Sequence, residues 1–291
     1  MAVFVNLLRD NAFLGLAAIG MSFVILSGGI DLSVGAMVGF TSICLARLMG
    51  DLGSPPVLAS LIMLLLGTSL GAGLGCLVSV FRLPPFLVTL AGMFLARGLA
   101  FVVSLENQSI HQPLYDRLGD FSYQAFPVEI LIFVGGLLMA LYLAHCTRFG
   151  RNVYAVGGNE ESAALMGLPV TRTKILTYAL SGFCSSLAGI VYSIYTLSGN
   201  PTAGTMLELD AIAAVVIGGT LLTGGVGYVF GTFIGVLILG VIQTIITFEG
   251  TLSSWWTKIA VGGLVLGFIL LQRFIQSQTS GALARPWRSQ E

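Results

Sequence analysis

The sequence predicts an all-α, polytopic membrane protein forming one membrane domain over residues 1–291. Three observations predict it. Charged residues make up 9% of the chain and hydrophobic residues 56%, whereas a soluble domain carries roughly 25% charge. Mean hydropathy is +0.95, more apolar surface than one soluble core can hide. Apolar stretches of about 20 residues, the length that crosses a bilayer, recur at 11–29, 33–50, 57–80, 84–104, 128–146, 175–197, 209–227, 228–248 and 257–275, which is eight to nine segments. The polar gaps between them are shorter than a soluble domain of roughly 50 residues.

Met1–Asp10 lacks a basic leader and a small-residue cleavage site, so 11–29 is read as a retained span. Residues 27–35, SGGIDLSVG, join it to the next segment, either as a loop or as a break inside the membrane. Phe81-Arg82-Leu83-Pro84-Pro85 is a tight turn, with its prolines where the following helix starts. The loop 105–127 carries Glu106, Asp116 and Asp120 against Arg117. It is acidic and read as outer, periplasmic.

The loop 147–174 has basic ends, Arg148, Arg151, Arg172 and Lys174, and basic loops stay in the cytoplasm. Within it Asn159 can cap a short helix, Glu160 and Glu161 suit the positive end of its dipole, and Gly167 with Pro169 stops it. So short a helix is marginal in water unless docked. Ala163, Ala164, Leu165 and Met166 offer a docking surface; the alternative is a capped loop with no partner.

From there the chain exits by 175–197 to an outer gap at 198–210, returns through 209–227, and crosses again through 228–248. Trp255 and Trp256 suit the outer aromatic belt, and the last segment brings Arg273, Arg285 and Arg288 inside. Counting backward puts the amino terminus outside, so either one segment is not a full crossing or a helix ordinarily precedes Met1. GxxxG spacings at Gly35/Gly39, Gly71/Gly75, Gly227/Gly231, Gly231/Gly235 and Gly263/Gly267 suit close helix packing.

Zero formal net charge gives no pull toward nucleic acid. Cys44, Cys76, Cys146 and Cys184 lie in or beside apolar runs without ligand spacing, and are read as packing residues. No Ser–His pair lies at matched depth, because His111 and His145 sit in the outer loop and at a span end. The Gly-rich run 217–227 lacks the Lys-Ser or Lys-Thr of a phosphate loop, so the chain carries no ATPase of its own and is read as no enzyme. Asp31 is a carboxylate near membrane depth. It either caps the helix beginning at Leu32-Ser33 or lines a path with Ser27, Gly28, Gly29 and Ser33, and the two roles are compatible. An ion-coupled carrier is the rival reading, since interrupted helices are its usual pointer; its mid-depth ionisable groups would be Asp31 and Arg97, with Glu208 and Asp210 near the rim.

Three stretches carry a resemblance: Val24-Ile25-Leu26 with SGGIDLSVG, the loop from Gly157-Gly158-Asn159 through Ala163-Ala164 to Gly167, and LELDAIAAVVIGGTLLTGGVG at 207–227. Together they resemble the membrane permease of ribose-type bacterial sugar ABC importers. The runs at 11–15 and 248–258 most resemble the galactofuranose importer's permease. The resemblance implies a multi-pass subunit of the bacterial inner membrane, a cytoplasmic ATP-binding subunit, a periplasmic sugar-binding protein and a second permease, a paralogue or another copy. ATP would be bound by the partner, with no cofactor in this chain. It further implies that Gly158, Asn159, Ala163, Ala164, Leu165 and Gly167 couple to the ATPase, and that such permeases begin with one more apolar helix than this chain has.

Overall fold

The computed structural model describes residues 2–123, 126–249 and 255–283. In chain order the elements are α1 (Ala2–Asp10), α2 (Ala12–Leu26), α3 (Val34–Gly50), α4 (Pro56–Ser79), α5 (Pro85–Val103), β1 (Gln108–Ser109), α6 (Pro113–Asp120), β2 (Ser122–Tyr123), β3 (Phe126–Pro127), α7 (Val128–Cys146), α8 (Arg148–Gly158), α9 (Glu160–Leu165), α10 (Val170–Thr196), β4 (Ser198–Gly199), α11 (Leu207–Ile217), α12 (Val229–Glu249) and α13 (Trp255–Leu283). The protein is a multi-pass helical membrane protein. Among the described residues α4, α5, α7, α10, α12 and α13 are each long and apolar enough to cross a bilayer. The pair α1–α2, bent by 53°, makes a seventh when counted as one span.

Apolar residues all round a helix imply burial on every side, and α2 fits that rule: only Phe13 among its residues is not fully buried. It is enclosed by α7, α10, α11 and α12. Against it runs α10, which also packs closely on α4. The approach depends on small residues: a Cβ on Gly71 would overlap the Tyr178 carbonyl, and one on Gly75 would come within 2.9 Å of Ile175 Cα. The Gly71/Gly75 spacing is therefore a packing seam. Around Gly263 and Gly267 of α13 there is open space instead.

Three segments differ from expectation. α3, expected as a crossing at 33–50, has 17 residues and is too short to count among the spanning helices. The 209–227 stretch is not one crossing helix: α11 stops at Ile217 after 11 residues. Gly219, Gly224, Gly225 and Gly227 then take φ of +90°, +86°, +74° and +154°, and a right-handed helix cannot continue through such angles. The 147–174 loop is not a plain connector around one short helix. It holds α8 as well, whose Gly150, Val153 and Val156 are buried.

The ends of the bundle are fixed by pairings. β1 pairs antiparallel with β4, Gln108 opposite Gly199, and Gln112 donates to the Met49 carbonyl at 3.2 Å. The end of α3, the segment 105–123 and the 198–206 segment thus share one end of the bundle. Arg9 reaches the same end and pairs with fully buried Glu129 at the start of α7, at 2.9 Å. The α4–α5 turn, α8 and α9 sit at the opposite end. Residues 251–254, within the expected outer turn, and Arg285 and Arg288 lie outside the described residues.

Candidate coupling segment and interrupted helices

The six-residue helix α9 forms where the local sequence calls for it. The Asn159 side chain accepts from the Ser162 N–H at 2.7 Å, satisfying one of the free amides of the first turn. Glu160 pairs with Lys174 of α10. Gly167, at φ +78°, ends the helix with its N–H donating to the Ala164 carbonyl. One side of the helix is packed: Ala163 is fully buried. It therefore offers no side chain to a partner, which corrects the expectation that Ala163 and Ala164 form one docking face. Ala164 is exposed, and Leu165 and Met166 are 89% and 70% exposed. Beside them a groove of about 690 Å³ runs between the α4–α5 turn and α9, lined by Val78, Arg82, Pro84, Asn159, Ala164 and Lys174.

α8 roots this segment in the bundle. Phe149 stacks on Phe23 of α2 with ring centroids 6.0 Å apart. The Tyr154 hydroxyl donates to the Gly227 carbonyl at 3.0 Å. Burial, and the Tyr228 phenol beside it, push the Tyr154 phenol above its usual range. At the end of α8 three backbones meet without side chains between them. A Cβ on Gly157 would overlap the Leu26 carbonyl and come within 2.6 Å of the Gly225 amide nitrogen. That amide donates to Leu26 O at 2.9 Å. Gly224 approaches Gly28 so closely that a Cβ on it would lie 2.8 Å from Gly28 N. The breaks at 27–33 and 218–228 are thus joined to each other and to α8.

Several polar groups of the break at 27–33 are paired within the fold, as irregular backbone away from water requires. Ser27 Oγ donates to Val24 O at 2.8 Å and the Gly29 N–H to the same carbonyl at 2.9 Å. The Ile30 carbonyl accepts from Thr89 at 3.3 Å and from Tyr178 at 3.4 Å. Asp31 is 1% exposed. Its Oδ1 accepts from the Ser33 N–H at 2.9 Å and the Ser33 hydroxyl at 2.6 Å, and its Oδ2 accepts from Ser181 of α10 at 2.7 Å. One carboxylate closes the turn before α3 and ties it to α10. Ser181 was not visible as a partner in the sequence, because it lies 150 residues away.

Toward the end where β1 pairs with β4, Arg97 donates to the Pro201 and Ala203 carbonyls, both at 2.7 Å. Glu208 lies in the first turn of α11. It turns inward onto Gly35, and its Oε2 is buried without a hydrogen-bond partner. Asp210 pairs with Lys258 at 2.6 and 2.8 Å, bridging α11 to α13. No group of three or more His, Cys, Asp or Glu side chains converges among the described residues.

Two interrupted helices thus meet at one end of the bundle, where both are joined to α8. The chain belongs to the branched-chain amino acid transport system / permease component family, whose model matches residues 3–271. It is 53% identical over 276 residues to the inner membrane ABC transporter permease protein YjfF of Escherichia coli (strain K12), covering 93% of this chain and 83% of that one. It is 41% identical over 276 residues to the ribose import permease protein RbsC of Bacillus subtilis (strain 168), covering 92% and 84%. It is 40% identical over 288 residues to the fructose import permease protein FruG of Bifidobacterium longum (strain NCC 2705), covering 94% and 83%. No solved structure matches it.

Proposed function

We propose that this chain is the permease of an ATP-driven importer of a monosaccharide in a bacterial inner membrane. The observation that carries the reading is α9: a capped helix held to the bundle by buried Ala163, with Ala164, Leu165 and Met166 turned outward. Exposed apolar side chains on a rigid cytoplasmic helix suit a protein partner, here a separate ATP-binding subunit. A periplasmic binding protein delivers the sugar to the outer end, and a second permease completes the path. Ser27, Gly28, Gly29, Asp31 and Ser33 lie along that path or brace it, and Gly158, Asn159, Ala164, Leu165 and Gly167 form the coupling element. Ala163 serves it from beneath.

Within the sugars, the proposed cargo is galactofuranose. The sequence runs 11–15 and 248–258 support it, while the similar proteins named for ribose and fructose mark the neighbouring alternatives. Uptake in cells lacking this subunit, compared over pentoses, fructose and galactose in both ring forms, tests the cargo. ATP dependence tests the class. Uptake persists when the proton gradient is collapsed and ATP is maintained; uptake by this polypeptide alone in liposomes, driven by an ion gradient, would overturn the importer reading.

A further inference from the structure

The exposed face of α9 is only one end of a lever. Its other end is the contact where Gly157 meets Leu26 and Gly225. The Leu26 carbonyl belongs to the last turn of α2, the helix that enters the 27–33 break. The Gly225 amide belongs to the 218–228 break that follows α11. The two are hydrogen-bonded to each other, and Gly157 lies against both. A displacement of α8 therefore acts on both interruptions at once, with no side chain between to absorb it. Interiors this closely packed transmit strain. Tyr154 adds a second attachment three residues earlier, through its bond to Gly227 O at 3.0 Å. Rigidity between the lever's ends comes from Asn159, which is at once the residue closing α8 and the cap opening α9.

We propose that Gly157, with Tyr154, is the joint through which ATP-driven movement of α9 opens and closes the two interrupted helices together. Both act through the breaks they touch and are positioning residues. The inference rests on the importer reading above, and the wild-type complex run in parallel separates the two. If the wild type shows no ATP-driven uptake, the importer reading fails first.

A helical glycine outside the coupling element supplies the control. A Cβ on Gly135 of α7 meets nothing within 4 Å, so Gly135→Ala changes helix propensity in the same way as Gly157→Ala without entering the contact. The assembled complex, permease with ATP-binding subunit, is reconstituted in proteoliposomes. Sugar uptake and ATP hydrolysis are measured on the same preparation with purified binding protein. Gly157→Ala keeps the ATP-binding subunit and its basal hydrolysis. It loses sugar transported per ATP by about tenfold, the size of the overlap it introduces. Gly135→Ala behaves as wild type. Tyr154→Phe, which removes one hydrogen bond and little volume, lowers the same ratio about threefold to tenfold. It decides the matter if Gly157→Ala fails to accumulate. Wild-type transport per ATP in Tyr154→Phe and in any Gly157→Ala that accumulates overturns the proposal. So does loss of the ATP-binding subunit by either variant, since the contact would then merely shape α9.

Discussion

Replacing Asp31 by alanine tests whether the carboxylate braces the first interruption. The substitution removes three accepted hydrogen bonds at once, from the Ser33 N–H, the Ser33 hydroxyl and the Ser181 hydroxyl. The Ser181 hydroxyl can turn to the α10 carbonyl one turn back, as Ser185 does toward Ser181 O at 2.7 Å. The Ser33 N–H has no such freedom. A buried amide left without an acceptor costs about 1–3 kcal/mol. Removing a carboxylate that is 1% exposed also removes its own desolvation cost, which holds the net loss to that range. About 2 kcal/mol shifts the braced break toward open forms by roughly 30-fold. Asp31→Asn keeps an oxygen facing Ser33, and its amide can donate to Ser181, so its loss stays under about 1 kcal/mol. The assay is thermal unfolding of the purified complex together with uptake in vesicles. Asp31→Ala melts lower and transports poorly, and Asp31→Asn lies near the wild type. Wild-type behaviour of Asp31→Ala refutes the bracing argument. Equal damage from Asp31→Asn refutes it too, because charge and not hydrogen bonding would then carry the role.

Ala164→Arg leaves membrane accumulation near normal, since the residue is exposed, but co-purification of the ATP-binding subunit and sugar-stimulated hydrolysis fall together, an unpaired charge in that contact costing roughly several kcal/mol. Ala163→Arg, by contrast, lowers accumulation itself, because that side chain is packed inside the chain; immunoblots of membrane fractions separate the two. Arg9→Ala strands the fully buried Glu129 carboxylate, destabilising the chain by about 3 kcal/mol, while Arg9→Met with Glu129→Leu restores much of it, read by thermal aggregation in detergent. Gly71→Val, forced against the Tyr178 backbone, lowers the yield of folded protein, whereas Gly73→Val two residues on meets open space and leaves it unchanged, as size-exclusion profiles report.

The crossing helices were legible because length and apolarity are all a span needs. The half-helix α11 was not, because hydropathy reads composition while the chain turns on backbone angles: Gly219, Gly224, Gly225 and Gly227 continue an apolar stretch yet sit at positive φ. α8 was hidden by its own glycines. Gly150 and Gly157 look like loop residues, but in the structure they are places where backbone meets backbone, Gly150 against Ala144 and Gly157 against Leu26. A signal was present in Phe149, Val153 and Val156 at i, i+4 and i+7, the spacing of one helix face. The Asn159 cap was readable because it is local. Ser181 beneath Asp31, Gly225 beneath Gly157 and Glu129 beside Arg9 were not, since each pairing joins stretches of sequence that only the fold brings together.

The enclosure of α2 has a consequence for how the chain is made. α2 ends at Leu26, yet every helix that surrounds it begins at Val128 or later. During synthesis it must enter the bilayer with lipid on sides that the finished protein covers. Ser22 waits longest: its hydroxyl partner Thr232, at 2.7 Å in the completed fold, lies 210 residues downstream. Contacts so distant in sequence close late, and partly assembled chains with unpaired surfaces are the ones that mispair. The vulnerable interval runs from the emergence of α3 to that of α12. Slowing translation within it should lower the yield of permease while leaving the molecules that finish indistinguishable from the rest.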